Sequence, residues 1–449
     1  MTTFITLFTL FLVGAAAMAQ TPPVSRPPPR SATKVIRLTP AYINELAEEM
    51  RGKHPALQAA WARTNAAAAN IGTVRTWDDP KAILGGMAAR EDMRASEGDL
   101  MYGVEQKLPL FGKPKLARGV ARAELATESA IAEYQFQVLR RELAKAVFRT
   151  ALVDQVVVIG QQDLAWLETI IRTMDGKYRA SEATLMEVLQ VQNERAKQAT
   201  QLETERDRLT DGWVSLNRML NRSLLFPWPT LELPALAWPV LYSQKLVDIA
   251  LKYEPRMEVL RRQIKQAEAA VVSTRRQRLP DISAGLEARN YTGDGSFRQG
   301  VLVFSMNLPW ANAGKYRSET QRDEAKLKAA EFDLVDYELS VREEVHTLTV
   351  KIDAARREAM LYRDQIIPRS QSALDSARSG WEANRSTFRD VLDARRMLLD
   401  GRLMYARAVS EQYQMLSELV LCCGLGDMEA LQMIGVQPEV SPKERTSPK

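Results

Sequence analysis

Between residues 315 and 367 the chain contains no proline and no glycine. Its apolar positions Leu327, Ala330, Leu334, Tyr337, Val341, Val345, Leu348, Ile352 and Ala355 step by three or four residues. That spacing is close to the heptad seam of helices that coil around neighbours, and at 1.5 Å per residue it predicts a helix roughly 80 Å long. Residues 115–175 predict a second such helix, broken only by Gly119 and Gly160. Return helices follow over about 177–220 and 381–421, where Leu209, Trp213, Leu216 and Leu220 keep the same step. The Ala-rich stretch 40–75 predicts one more helix, kinked near His54-Pro55.

Over 81–111 and 280–309 the period changes to two. Leu100, Tyr102 and Val104 alternate with Met101, Gly103 and Glu105, and Ile282, Ala284, Leu286 and Ala288 alternate with polar residues. Leu302, Phe304, Met306 and Leu308 do the same, with Thr292 to Ser296 as the intervening turn. The pattern predicts two β-hairpins. Strands of about ten residues match a tilted bilayer crossing, which makes Leu100, Tyr102, Val104, Ile282, Leu286, Leu302, Phe304, Met306 and Leu308 candidate lipid-facing positions. An ordinary hairpin capping a helical domain accounts for the pattern equally well.

These elements are written twice. His54-Pro55-Ala56-Leu57 returns as Glu254-Pro255-Arg256-Met257, and Leu108-Pro109 as Leu308-Pro309, each at an offset of 200 residues. The run from Tyr178 to Leu189 returns as Trp381 to Leu392, at an offset of 203. So long a period indicates a duplicated half-molecule rather than a short solenoid repeat. The first copy is expected over 40–225 and the second over 243–425, joined by a Pro-rich connector over 226–242 that cannot be helical.

Composition narrows the function. The 61 basic and 56 acidic residues are mixed, so a net charge of +5 argues against a nucleic-acid partner. Two cysteines and two histidines supply neither a disulfide framework nor a convincing metal or catalytic site. His54 and His346 are expected to be structural, adjacent Cys422 and Cys423 to be packing residues, and a soft-metal role for Met87, Met93 and Met101 is a minor alternative. Residues 1–19 are expected to be a signal peptide ending in Ala17-x-Ala19, 20–39 an extended Pro-rich linker, and 426–449 a disordered tail. No enzyme constellation and no cofactor motif is present in the sequence.

Four strands per chain cannot close a membrane barrel, so the bilayer reading requires oligomers. The duplicated order, the motif Leu108-Pro109-Leu110-Phe111-Gly112-Lys113, and the paired tip motifs ending Val188-Leu189-Gln190 and Val391-Leu392-Asp393 resemble the outer membrane efflux protein family typified by TolC. They look especially like its heavy-metal branch of CzcC-like and CusC-like channels. The resemblance implies a mainly α fold with a small membrane β part. It implies a homotrimer whose twelve strands form a barrel in the outer membrane of a Gram-negative bacterium, continuing into a periplasmic helical tube. It further implies passive export, with a periplasmic adaptor (membrane fusion protein) and an inner-membrane transporter as partners. The substrate is left open between heavy-metal cations and drugs or other small molecules. A non-channel periplasmic coiled-coil adaptor or scaffold is the alternative.

By the same resemblance, Asp390 and Asp393 line a periplasmic gate, with Arg389, Trp381, Glu187 and Tyr178 beside them. Three copies of a carboxylate pair would favour cations; the plainer reading is a solvated helix face on which Arg385 and Arg389 pair with those carboxylates. Adaptor contact is implied for Ala180, Ser181, Thr184, Val188 and Leu189, and for their copies Ala383, Asn384, Thr387, Val391 and Leu392. Ser181 and Asn384 stand where the family often has glycine.

Overall fold

A computed structural model describes residues 35–74, 76–86, 99–291, 295–383 and 385–425. The expected signal peptide, most of the linker, Met87, Met93, Asn384, the tip of the second hairpin and the C-terminal tail lie outside the described residues.

The chain opens with strand β1 (Val35–Arg37), then helices α1 (Pro40–Lys53) and α2 (Pro55–Thr73). Strands β2 (Lys81–Gly86) and β3 (Asp99–Lys107) lead to α3 (Lys113–Arg179), which returns as α4 (Leu185–Met219). After β4 (Thr230–Glu232) the order repeats. It runs α5 (Gln244–Tyr253), α6 (Pro255–Arg276), β5 (Ile282–Tyr291), β6 (Phe297–Met306), α7 (Ala313–Leu361), α8 (Ile367–Glu382) and α9 (Phe388–Cys422).

The expected kink near His54 is a full break between two helices, and its cause is chemical. The His54 Nδ1 accepts from the Ala56 N–H at 3.2 Å, capping α2, with Pro55 in the first turn where a missing N–H costs nothing. Partial burial and then the charge of Arg218 push the His54 pKa down, which keeps the imidazole a neutral acceptor. Its repeat partner Glu254 does the same work for α6, accepting from the Met257 N–H at 2.6 Å and from the Tyr337 hydroxyl at 3.0 Å.

The long helix of the first copy is unbroken over 67 residues. In the second copy a π turn at Tyr362–Ile366 separates α7 from α8, and Pro368 follows at once. Pro368 cannot complete the regular ladder, and the offset between copies is 200 at Leu108-Pro109 and 203 at Tyr178.

Sheet and helices share one order. The strands pair antiparallel as β2-β3-β5-β6, and the helices that feed them pack side by side as α2, α3, α6 and α7. The result is a single continuous wall. At the central β3–β5 seam, Gly103 faces Glu287 and Gly285 faces Glu105. A Cβ on Gly103 would lie 2.6 Å from the Leu286 carbonyl oxygen, so no larger residue fits that approach.

Two related cores brace the middle of the wall. One gathers Met50, Leu57, Leu143, Phe148, Leu216 and Leu231, the other Leu246, Val345, Ile352, Leu416, Leu419 and Cys423. Burial pushes the Cys423 thiol up to about 12 and raises that of Cys422 as well. Both cysteines are free and buried.

Around this level the Pro-rich connector crosses, and side chains supply the hydrogen bonds its prolines cannot. Asp154 accepts from the Leu231 N–H at 3.1 Å, and Asn217 donates to the carbonyls of Leu224 and Phe226 at 2.9 Å each. Gln412 clamps both backbone groups of Ala237, and Tyr413 donates to the Ala235 carbonyl at 2.7 Å.

Candidate functional site

The register places Leu100, Tyr102, Val104, Ile282, Leu286, Leu302, Phe304 and Met306 on one face of the sheet. Leu308 lies just beyond the end of β6. Leu302 and Phe304 are each 72% exposed, and Leu84, which the sequence pattern did not single out, joins them at 82%. The opposite face carries Glu105, Lys107, Glu287 and Arg289, with Gly103, Gly285 and Ser283 between them. Edge strands β2 and β6 each have one unpaired side. Among the described residues no helix is long and apolar enough to cross a membrane.

At the far end, α3, α4, α8 and α9 converge on a tip core of Leu167, Ile170, Met174, Trp381, Phe388 and Val391. Trp381 packs against Phe388 with ring centroids 5.5 Å apart and planes tilted by 58°, and the Lys177 ammonium sits 4.4 Å over the Trp381 ring. Trp381 is therefore a core residue at 6% exposure. Val188, Val391 and Leu392 are also buried in the protomer, which removes them from the accessible tip surface. Ala180, Ser181, Thr184, Leu189, Ala383 and Thr387 remain exposed.

The two copies differ sharply here. Tyr178 and Leu185 of the first are exposed, while their counterparts Trp381 and Phe388 are covered.

Each tip ends in a capping box. Thr184 and Glu187 exchange hydrogen bonds at the start of α4, with the Thr184 N–H reaching Glu187 Oε2 at 2.8 Å and the Glu187 N–H reaching Thr184 Oγ1 at 3.3 Å. Thr387 and Asp390 repeat this at the start of α9, at 2.9 and 3.4 Å. Bonds from the Thr387 hydroxyl and then its N–H hold the Asp390 carboxyl below its ordinary range. Asp390 is exposed, yet its carboxylate turns back onto its own helix. Asp393 lies between Arg389 at 3.9 Å and Arg396 at 3.5 Å. Arg389 makes the i+4 pair with Asp393, while among the described residues Arg385 forms no ion pair with either carboxylate.

The sequence reading placed Thr184 and Thr387 only among the adaptor contacts and missed their capping role, although Thr-x-x-Glu and Thr-x-x-Asp before an apolar run carry that signal. It also missed Arg396, which pairs with Glu194 of α4. In the first turn of the tip, Ser181 adopts φ +61°. That left-handed conformation explains a glycine preference at this position. Higher up, a cavity of about 300 Å³ between α3, α8 and α9 is lined by Asp163, Trp166, Asp375, Arg378, Arg395 and Arg402.

Residues 46–222 and 246–425 match the family described as outer membrane efflux protein. Over 181 residues the chain is 25% identical to the cobalt-zinc-cadmium resistance protein CzcC of Cupriavidus metallidurans; the match covers 40% of this chain and 42% of that relative, less than half its length. Among solved structures, the outer-membrane channel OprN superposes with a TM-score of 0.73 at 17% identity, over 86% of this chain and 90% of its own. VceC of Vibrio cholerae gives 0.71 at 18% identity, covering 86% and 96%. CusC gives 0.69 at 16%, covering 89% and 97%. These structures share the overall fold of the chain.

Proposed function

The chain belongs to the outer membrane efflux protein family, and from that premise we propose that it forms the outer-membrane channel of a tripartite export assembly. The observation that carries the proposal is the shared order of strands and helices, β2-β3-β5-β6 above α2, α3, α6 and α7. A wall of that kind has two free edges and one exposed apolar sheet face. Lipid tolerates no open edge, so β6 of one copy joins β2 of the next until three copies close twelve strands. The apolar face then meets lipid and the face bearing Glu105 and Glu287 lines the water-filled interior. A soluble adaptor would have no use for such a face.

The helical wall hangs in the periplasm, and its tip is where an adaptor docks, through exposed Ala180, Ser181, Thr184, Leu189, Ala383 and Thr387. The adaptor links the channel to an inner-membrane transporter. Asp390 and Asp393 form the gate, with Arg389 and Arg396 setting how much of their charge an ion meets. Glu187 and Tyr178 belong to the neighbouring first-copy tip. The partial match to a cobalt-zinc-cadmium resistance protein supports divalent metal cations as the cargo.

Membrane fractionation followed by planar-bilayer recording tests this. An SDS-resistant trimer that conducts ions is expected, and recovery as a soluble monomer would overturn the proposal. Export of cadmium or zinc from cells carrying the assembly, against a strain lacking this chain, tests the cargo.

A further inference from the structure

The chain's small positive excess is concentrated at one level, the junction of sheet and helices. The segments 76–81, 107–118, 272–282 and 307–319, which join the sheet to the helices, hold ten lysines and arginines against four acidic residues, while the whole chain nets only +5. Everything outside this junction is therefore close to neutral.

Part of this charge is committed to holding the junction together. Lys113 donates to the Leu279 carbonyl at 2.7 Å and pairs with Asp281 at 2.8 Å, and Lys107 pairs with Asp78 at 3.3 Å. Arg118 donates to the Val74 carbonyl at 2.9 Å, and Arg275 pairs with Glu324 at 2.6 Å. Lys315 lies 3.9 Å from Glu319, and four other cations are not committed. Lys115, Arg276 and Arg317 are exposed and have no acidic partner among the described residues, and Arg278 reaches only the Arg275 carbonyl at 3.4 Å.

Between these cations and the apolar sheet face stand three large aromatic side chains in solvent. Trp77 is 53%, Phe111 42% and Trp310 59% exposed. Exposed tryptophan beside an apolar band, with uncommitted cations one step further out, is the layering of a membrane–water interface.

We propose that this junction is a collar for anionic phospholipid headgroups of the leaflet on the helical side of the sheet. The inference rests on the sheet spanning a membrane. Free phosphate would satisfy the cations but leave the tryptophans unexplained; a lipid satisfies both, because its phosphate meets the ammonium and guanidinium groups while its glycerol and upper acyl region meet the rings. Each uncommitted cation near an anionic surface raises partitioning roughly fivefold, and three copies of the chain would present the set three times.

The test uses the full-length protein and vesicles of phosphatidylethanolamine alone or mixed with phosphatidylglycerol. Wild type is compared with a variant carrying Lys115→Gln, Arg276→Gln, Arg278→Gln and Arg317→Gln, exposed positions where glutamine is easily accommodated. Insertion of the wild type should speed up at least tenfold when phosphatidylglycerol is added, and the variant should lose that gain while still forming a conducting trimer. The same lipid dependence in both proteins overturns the collar. So does a variant whose ion selectivity changes while its lipid dependence does not, since its cations would then face the lumen. If neither protein enters any vesicle, the membrane-spanning reading fails, and the collar falls with it.

Discussion

Arg395 of α9 and Asp163 of α3 form a bidentate ion pair, with Nε to Oδ1 at 2.7 Å, that ties the second-copy hairpin to the first inside the protomer. Their side chains are 5% and 8% exposed, and the guanidinium lies 5.3 Å from the Trp166 ring. Breaking such a pair leaves a buried charge alone. Arg395→Ala should therefore destabilise by about 3 to 5 kcal/mol, whereas Arg395→Met with Asp163→Leu should be close to neutral. Denaturant unfolding of the two variants checks both signs.

The lowered pKa of Asp390 predicts how the proposed gate would titrate. Its carboxylate stays charged as pH falls below the ordinary value of 3.8 and is neutralised only on passing the lower folded value. Cation block of the channel should persist to lower pH in wild type than in Thr387→Val, which lacks the hydroxyl that holds the carboxylate. Single-channel recordings between pH 3 and 6 would show the shift, and identical profiles would remove Thr387 from the account. Loss of the cap in Thr387→Ala should also cost about 1 kcal/mol.

Ser181 sits in left-handed backbone at φ +61°. Ser181→Gly should stabilise the first tip by about 1 kcal/mol, which slower protease cleavage between α3 and α4 would reveal. Faster cleavage would mean that the Ser181 side chain contributes more than its strain costs.

The β3–β5 seam depends on Gly103. Gly103→Val should abolish the folded, SDS-resistant trimer, because the new side chain overlaps the backbone of β5. Electrophoresis of unheated samples gives the answer directly.

His54 works as a cap only when neutral, and its folded pKa lies below the ordinary 6.5. The folded state then binds fewer protons than the unfolded chain just below that pH, so stability should fall as pH drops from 6.5 toward the folded value. His54→Asn should keep the cap and lose the pH dependence in thermal unfolding between pH 5 and 7.

The long helices, the hairpins and the duplication were legible in the sequence because each rests on local pattern: a three-to-four step, a two-step, and repeated Pro and Gly punctuation. The π turn was not, since Tyr362 to Ile366 look like any helical residues and Pro368 falls just past the stretch free of proline. The fates of Tyr178 and Trp381 were equally hidden. Both are aromatic and occupy matching positions, and only the packing of one hairpin on the other decides that the second is buried. Asp390 was noticed for its charge, while its threonine partner three residues earlier fixes where that charge points.

Because strands and helices run in the same lateral order, one rotation between neighbouring copies must close the sheet and the helical wall together. An incomplete ring would expose unpaired strand edges to lipid and apolar helix flanks to water at once. Assembly should therefore be cooperative, with monomer and complete ring populated and the two-copy intermediate scarce. The appearance of the closed form should then rise more steeply than linearly with the amount of protein in the membrane.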